Sequence, residues 1–213
     1  MIINIAHTKG GVGKSTIATN LAVELNADLL DLDTQNSSIG FSQLGPERSI
    51  KFIRGQTLSE KDFGFADAYR QSADHHLIVD SGGYDSSIVR RALFASDIVI
   101  TPVAASQVEL MGLLNFDKVI HLIKEVSTEL KAYVLFNRVT RFQAKDLELF
   151  KGYIEQNISD YHILKSQIGD RKAFKDAFAE GLSVCELNRK SLAAEEVRCL
   201  VNEILELTHS KGA

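Results

Sequence analysis

The chain has 213 residues, 45% of them hydrophobic and 24% charged, which is an ordinary globular composition. That excludes a disordered tail, a collagen-like repeat and a low-complexity linker, and it leads us to expect a single domain over residues 1–213 that buries its core without a disulfide or metal staple. Its 24 basic and 28 acidic residues give a formal charge of −4, so a nucleic acid or an anionic membrane could be held only through a local basic patch.

Apolar runs of strand length recur along the chain with helical patterns between them. Ile2–Ala6 is a short β-rich run, and Gly13–Asn26 follows with Ile17, Leu21 and Leu25 on one helical stripe. Ala27–Asp33 is a second strand ending in acids. The stretch from Thr34 to Asp74 reads as a long excursion from the sheet: a turn-rich start at Gln35–Ser38, a short strand at Lys51–Arg54 and a helix opening near Ser59. His76–Asp80, Asp97–Val103, Lys131–Asn137 and a weaker Ile163–Ile168 complete the strands. Helices are predicted over Ser86–Ala95, Val108–Leu130 with a break near Ser127, Ala144–Tyr153, Arg171–Glu180 and Ser191–Thr208. In the last, Val197, Leu200, Val201 and Ile204 have the spacing of one buried face. The strands are mostly continuous rather than alternating, so both faces should be covered. The fold class is α/β, a doubly wound and mostly parallel sheet with helices on both faces.

Cys185 and Cys199 belong to no CxxC pair or Cys/His cluster, which fits a reducing, cytoplasmic setting better than a disulfide framework or zinc site. Met1–Ala6 is too short for a signal peptide, and no apolar run approaches the ~20 residues of a membrane span. His75-His76 and His7 read as structural or packing residues, and Phe63, Phe65 and Tyr69 as core.

The sharpest signal is Lys9-Gly10-Gly11-Val12-Gly13-Lys14-Ser15-Thr16, between a strand and a helix. Three glycines in three fixed slots arise by chance about once in 3,000 tries. Glycines let successive N–H groups face one anion, and the helix N-terminus adds its positive end. Lys14 is placed to reach β- and γ-phosphates and the Ser15 hydroxyl to ligate Mg²⁺. The usual GxxxxGK[ST] pattern is not met, because Thr8 takes the place of its first glycine and a lysine stands at position 9.

At these residues the chain resembles the deviant Walker A ATPases of the ParA/MinD superfamily, with Lys9 at their signature lysine. Asp31-Leu32-Asp33-Thr34-Gln35 is similar to the family's DxDPQ segment, with Thr34 for the proline. Leu77–Asp80 is similar to its Walker B strand, although Ser81-Gly82-Gly83 follows where many relatives carry prolines. Asp97–Val103 and Val108–Leu113 are similar to the strand and helix that come next. Among members the chain most resembles small ParA partition proteins, because a loop beginning at residue 9 leaves no room for an N-terminal helix-turn-helix domain.

The resemblance implies ATP and Mg²⁺ as cofactors and slow, partner-stimulated hydrolysis. Ser15 and Asp80 become the magnesium-side residues, Asp80 through water. Asp33 positions the attacking water and Asp31 stands behind it. Lys9 crosses to the nucleotide of a second subunit in an ATP-sandwich homodimer, and Asn137 contacts the adenine side. The implied partners are non-specific DNA and a ParB-like or small centromere-binding protein in plasmid or chromosome partition, which places the protein on the nucleoid. Arg138, Arg141, Lys145, Lys165, Arg171, Lys172 and Lys175 are the candidate DNA stripe. A MinD-like membrane mode is disfavoured, because Glu195, Glu196, Glu203 and Glu206 dominate the last helix. Other cargo-positioning ATPases and a non-hydrolysing nucleotide-gated adaptor are the alternatives. Cluster carriers need interface cysteines, and tyrosine-kinase relatives a C-terminal tyrosine cluster; this sequence has neither.

Overall fold

Strand β1 (Ile2–Ile5) is buried along its whole length, with Ile2 facing one hydrophobic layer and Ile3 and Ile5 the other. That two-sided burial is what a continuous apolar run requires. The computed structural model describes residues 1–55, 69, 75–83, 86–140 and 144–209. After β1 come α1 (Lys14–Glu24), β2 (Asp28–Asp31), α2 (Ser37–Leu44), β3 (Phe52–Arg54), β4 (Leu77–Asp80), α3 (Ser87–Ala95) and β5 (Ile98–Val103). Then follow α4 (Gln107–Val126), β6 (Lys131–Val139), α5 (Ala144–Asn157), β7 (Tyr161–Gly169), α6 (Lys172–Ala179), α7 (Val184–Leu187) and α8 (Leu192–His209).

The seven strands form one sheet in the order β3-β2-β4-β1-β5-β6-β7, and every pairing is parallel. Helices α3, α4 and α5 cover one face through Leu93, Phe116, Ile120 and Ile154. Helices α1, α6, α7 and α8 cover the other through Ile17, Leu21, Phe174, Val184, Val197, Leu200 and Ile204. The doubly wound class is therefore as expected, with a wholly parallel sheet. The edge at β7 is closed by side chains: Glu203 accepts the N–H groups of Lys165 and Ser166, and Glu196 that of Gly169, so the outer strand offers little to a foreign strand.

Two helices are not foreseen by the sequence pattern. Helix α2 starts within the stretch that reads as turns, and α7 is four residues long. The helix expected to reach Leu130 ends at Val126, with Ser127 as its C-cap. The helix opening near Ser59, Phe63, Phe65 and Arg141 lie outside the described residues. Tyr69 is described, packs against the core and donates to Asp28 Oδ2 at 2.7 Å.

This topology positions the site. Strand β1 lies between β4 and β5; the connection after β1 departs toward β2, whereas the one after β4 departs toward β5. Diverging connections open a crevice at the strands' carboxyl ends, the usual ligand position in open α/β sheets.

Candidate functional site

The loop after β1 curls because two of its glycines adopt left-handed backbone, Gly11 at φ 75° and Gly13 at φ 100°. At Gly13 there is also no room: a Cβ would stand 2.3 Å from Asn137 Nδ2. Gly13 is the N-cap of α1 and no side chain caps that helix, so its positive end is left to the crevice. The Lys14 side chain lies buried beneath the loop, with Nζ donating to Lys9 O at 2.9 Å. Burial pushes the Lys14 pKa down, and the charges of Asp80 and Asp33 push it back up. One buried ammonium is thus held beneath the loop within the field of two acids, Asp80 at the end of β4 and Asp33 just beyond β2.

Asp80, at the end of β4, is fully buried. Its Oδ2 accepts from Ser38 Oγ at 2.7 Å, and its Oδ1 has no partner. Burial, with the charge of Asp31, raises its pKa to about 7, against the Ser38 hydrogen bond and the charge of Lys14. A buried carboxylate oxygen without a partner, beside the Ser15 hydroxyl, is the hard-oxygen pair that suits Mg²⁺, which takes few protein ligands. Asp33, half-buried, accepts from Gln35 N at 2.9 Å. Asp31 has a different task. Its Oδ1 accepts from Asp33 N at 3.0 Å, and its Oδ2 from Ser38 N and Ile39 N at 3.0 and 3.2 Å. It therefore holds the start of α2 against β2. Burial raises its pKa, and these three N–H groups oppose the rise.

Lys9 is pinned at three points. Its N–H donates to His7 Nδ1 at 3.1 Å, its carbonyl accepts from Lys14, and its ammonium is ion-paired to Glu109 Oε1 on the first turn of α4. His7 is more than packing, although it does stack on Phe116 with ring centroids 5.8 Å apart. Burial first, then Lys14 and Lys9, lower its pKa to about 4, so the imidazole is neutral and accepts through Nδ1.

On the far side of the loop a cavity of about 310 Å³ is lined by Gly13, Thr16, Asn137, Arg138, Phe174 and Phe178 among others. It is large enough and apolar enough for a nucleobase. Asn137 stands at its wall but is engaged locally: Nδ2 donates to Val12 O at 2.8 Å and Oδ1 accepts from Arg138 N at 2.9 Å. Arg138 pays for that turn with a left-handed φ of 56° and leaves its side chain exposed at the rim. Thus the structure brings Lys9, Gly10, Gly11, Val12, Gly13, Lys14, Ser15, Thr16, Asp33, Asp80 and Asn137 to one crevice.

Reading the sequence missed Ser38, Glu109, Phe174 and Phe178. Only the phenylalanines carried a local signal, an i, i+4 aromatic pair on an amphipathic helix. Of the candidate DNA stripe, Arg171 is paired with Glu196 and Lys172 with Asp176, whereas Arg138, Lys145, Lys165 and Lys175 are exposed. Among the described residues no helix is long and apolar enough to cross a membrane.

Residues 3–184 match the model of the CobQ/CobB/MinD/ParA nucleotide-binding domain. The maintenance of carboxysome distribution protein A of Halothiobacillus neapolitanus is 24% identical, the alignment covering 94% of each chain. The ParA family protein MG470 of Mycoplasma genitalium is 25% identical, over 98% of this chain and 96% of its own. The solved ATP complex of a single-residue variant of Cyanothece McdA superposes with a TM-score of 0.72 at 15% identity, covering 97% and 96% of the two chains. With a family match that spans most of the chain and a fold shared with the McdA complex, the chain belongs to the CobQ/CobB/MinD/ParA nucleotide-binding domain family.

Proposed function

We propose that this protein is a ParA-type positioning ATPase that binds ATP with Mg²⁺, closes into a face-to-face homodimer around two nucleotides, and hydrolyses them slowly until a partner protein accelerates the step. The observation that carries the reading is the crevice between β1 and β4, where the buried Lys14 ammonium and the unpartnered Asp80 oxygen lie beside the glycine loop. Lys14 draws charge from the β- and γ-phosphates. Ser15 and Asp80 would hold Mg²⁺, Asp80 through water, and the bound ion would supply charge neutralisation at the phosphates. Asp33 orients a water in line with the γ-phosphorus, so that a bond forms from that water as the bond to the β-phosphate oxygen breaks. The base lies in the cavity between Asn137 and Phe178. Lys9 is paired with Glu109 on the first turn of α4, and the same end of that helix carries Val108 and Met111, which are 67% and 63% exposed. A second copy that covered those apolar groups would bring its triphosphate to Lys9.

In this reading the nucleotide-bound dimer binds DNA without sequence preference through Arg138, Lys145, Lys165 and Lys175. A ParB-like or small centromere-binding protein triggers hydrolysis and release in plasmid or chromosome partition. The carboxysome-distribution relative favours a second version, in which the same cycle positions a protein body instead of a replicon. Calorimetry with ATP and Mg²⁺ tests the site, and titration of a DNA fragment with and without ATP at rising salt tests the surface. The reading expects saturable ATP binding and ATP-dependent DNA affinity that falls steeply with salt. No affinity for adenine nucleotides with Mg²⁺ present would reject it.

A further inference from the structure

We infer that Glu109 is a positioning residue that parks Lys9 within a single subunit, so that the reach of Lys9 to a second copy is a competition whose balance Glu109 sets. The inference rests on the proposed ATP dimer and adds its control. Lys9 and Glu109 are 100 residues apart in sequence and meet only because α4 begins beside the loop. The backbone of Lys9 is fixed at both ends of its peptide, through His7 Nδ1 and Lys14 Nζ. Its side chain can therefore move without disturbing the loop.

The helix makes room for the ring that fixes Lys9. At Gly112 a Cβ would stand 3.0 Å from His7 Cε1, tighter than ordinary packing, and 3.7 Å from Lys9 Cδ, an ordinary contact. Glycine inside a helix sacrifices stability relative to alanine, and a packing need accounts for its presence here. The two partners are unequally placed. The Glu109 side chain is 14% exposed and the Lys9 side chain 34%, and Glu109 Oε2 is buried without a partner. Ser106 caps the turn that carries Glu109, so the carboxylate is the fixed member and the lysine the movable one.

Withdrawing Lys9 leaves a largely buried carboxylate without its counter-charge, which is unfavourable. The pull from the second copy must exceed that loss. A triphosphate offers more negative charge than the single carboxylate and a diphosphate offers less of it, so the parked pair raises the threshold against dimers formed on spent nucleotide.

The test measures dimer dissociation constants with AMPPNP and Mg²⁺ by sedimentation for wild type, Glu109→Gln, Glu109→Asp, Lys9→Ala and the double variant Lys9→Ala/Glu109→Gln. Thermal melting checks that each is folded, and Glu109→Ala stands in if Glu109→Gln does not fold. Glu109→Gln is expected to tighten the dimer about ten-fold, Glu109→Asp to return most of the way to wild type, and the double variant to match Lys9→Ala alone. A Glu109→Gln dimer no tighter than wild type, or a gain that survives loss of Lys9, overturns the inference. A wild type that does not self-associate with AMPPNP is the failure of the ATP-dimer reading itself.

Discussion

The phosphate loop and helix α2 face the same buried acid, Asp80, and are fixed there by different means. The loop is shaped from within, by left-handed glycines at 11 and 13 and by a lysine from its own helix folding back onto Lys9 O. Helix α2 is held from outside. Its N-cap residue Asn36 is left-handed and makes no side-chain cap, and the Asp31 carboxylate at the end of β2 accepts the N–H groups of Ser38 and Ile39 instead. Ser38 then reaches Asp80. One wall of the crevice is encoded locally, whereas the other depends on a strand end closing on a helix it does not belong to.

The two supports should fail in different ways when removed. Lys14→Ala removes the charge-assisted contact to phosphate and one hydrogen bond inside the loop, to Lys9 O, so calorimetry should show ATP affinity falling about 100-fold, roughly 3 kcal/mol, while the fold remains. Asp31→Ala does the reverse. It leaves three backbone N–H groups without their acceptor, and urea unfolding should register a loss of about 3 kcal/mol. If Asp31→Ala kept its stability and lost only nucleotide, the external anchor would be the wrong description of α2.

Ser38→Ala sharpens the same contrast at one hydroxyl. It should cost about 1 kcal/mol of stability and raise several-fold the Mg²⁺ concentration needed for half-maximal ATP binding, with Ser38→Thr restoring much of both. An unchanged magnesium requirement would detach α2 from Asp80. The loop side has its own acid sensitivity through His7. Its pKa is about 4 in the fold against an ordinary 6.5, so below pH 6.5 the unfolded chain takes up a proton that the native chain refuses. Its contribution is complete above that value and drains as pH falls toward the folded pKa, by about 2 kcal/mol between pH 7 and pH 5. Urea unfolding over that range should find wild type falling more steeply than His7→Asn by that amount, and parallel curves would show His7 to be no titrating support. The smallest effect belongs to the surface: Lys175→Glu should weaken DNA binding alike for all sequences and flatten its salt dependence.

The difference in encoding decides what could be read from the sequence. The glycine loop, Lys9 and Lys14 stand side by side between a strand and a helix, and the acidic ends of β2 and β4 close continuous apolar runs, so the sheet, the crevice and its acids were legible. Helix α2 was not, because Asn36, Ser37, Ser38 and Gly40 are poor helix formers and their cap comes from residue 31. Glu109 was hidden for a related reason: it stands beside Lys9 only once α4 has packed against β5 and α3. Asn137 lines the pocket wall, but its amide is engaged by Val12 O and Arg138 N, a bond pattern that spacing along the chain does not reveal.

The account turns on Lys9 acting across a subunit boundary, and light scattering of wild type and Lys9→Ala with AMPPNP and Mg²⁺ tests it most directly. The expected result is a mass near twice 23.5 kDa for wild type and near 23.5 kDa for Lys9→Ala, with ATP binding by the variant monomer largely intact. A Lys9→Ala protein that pairs as readily as wild type and hydrolyses ATP at the same rate would contradict it.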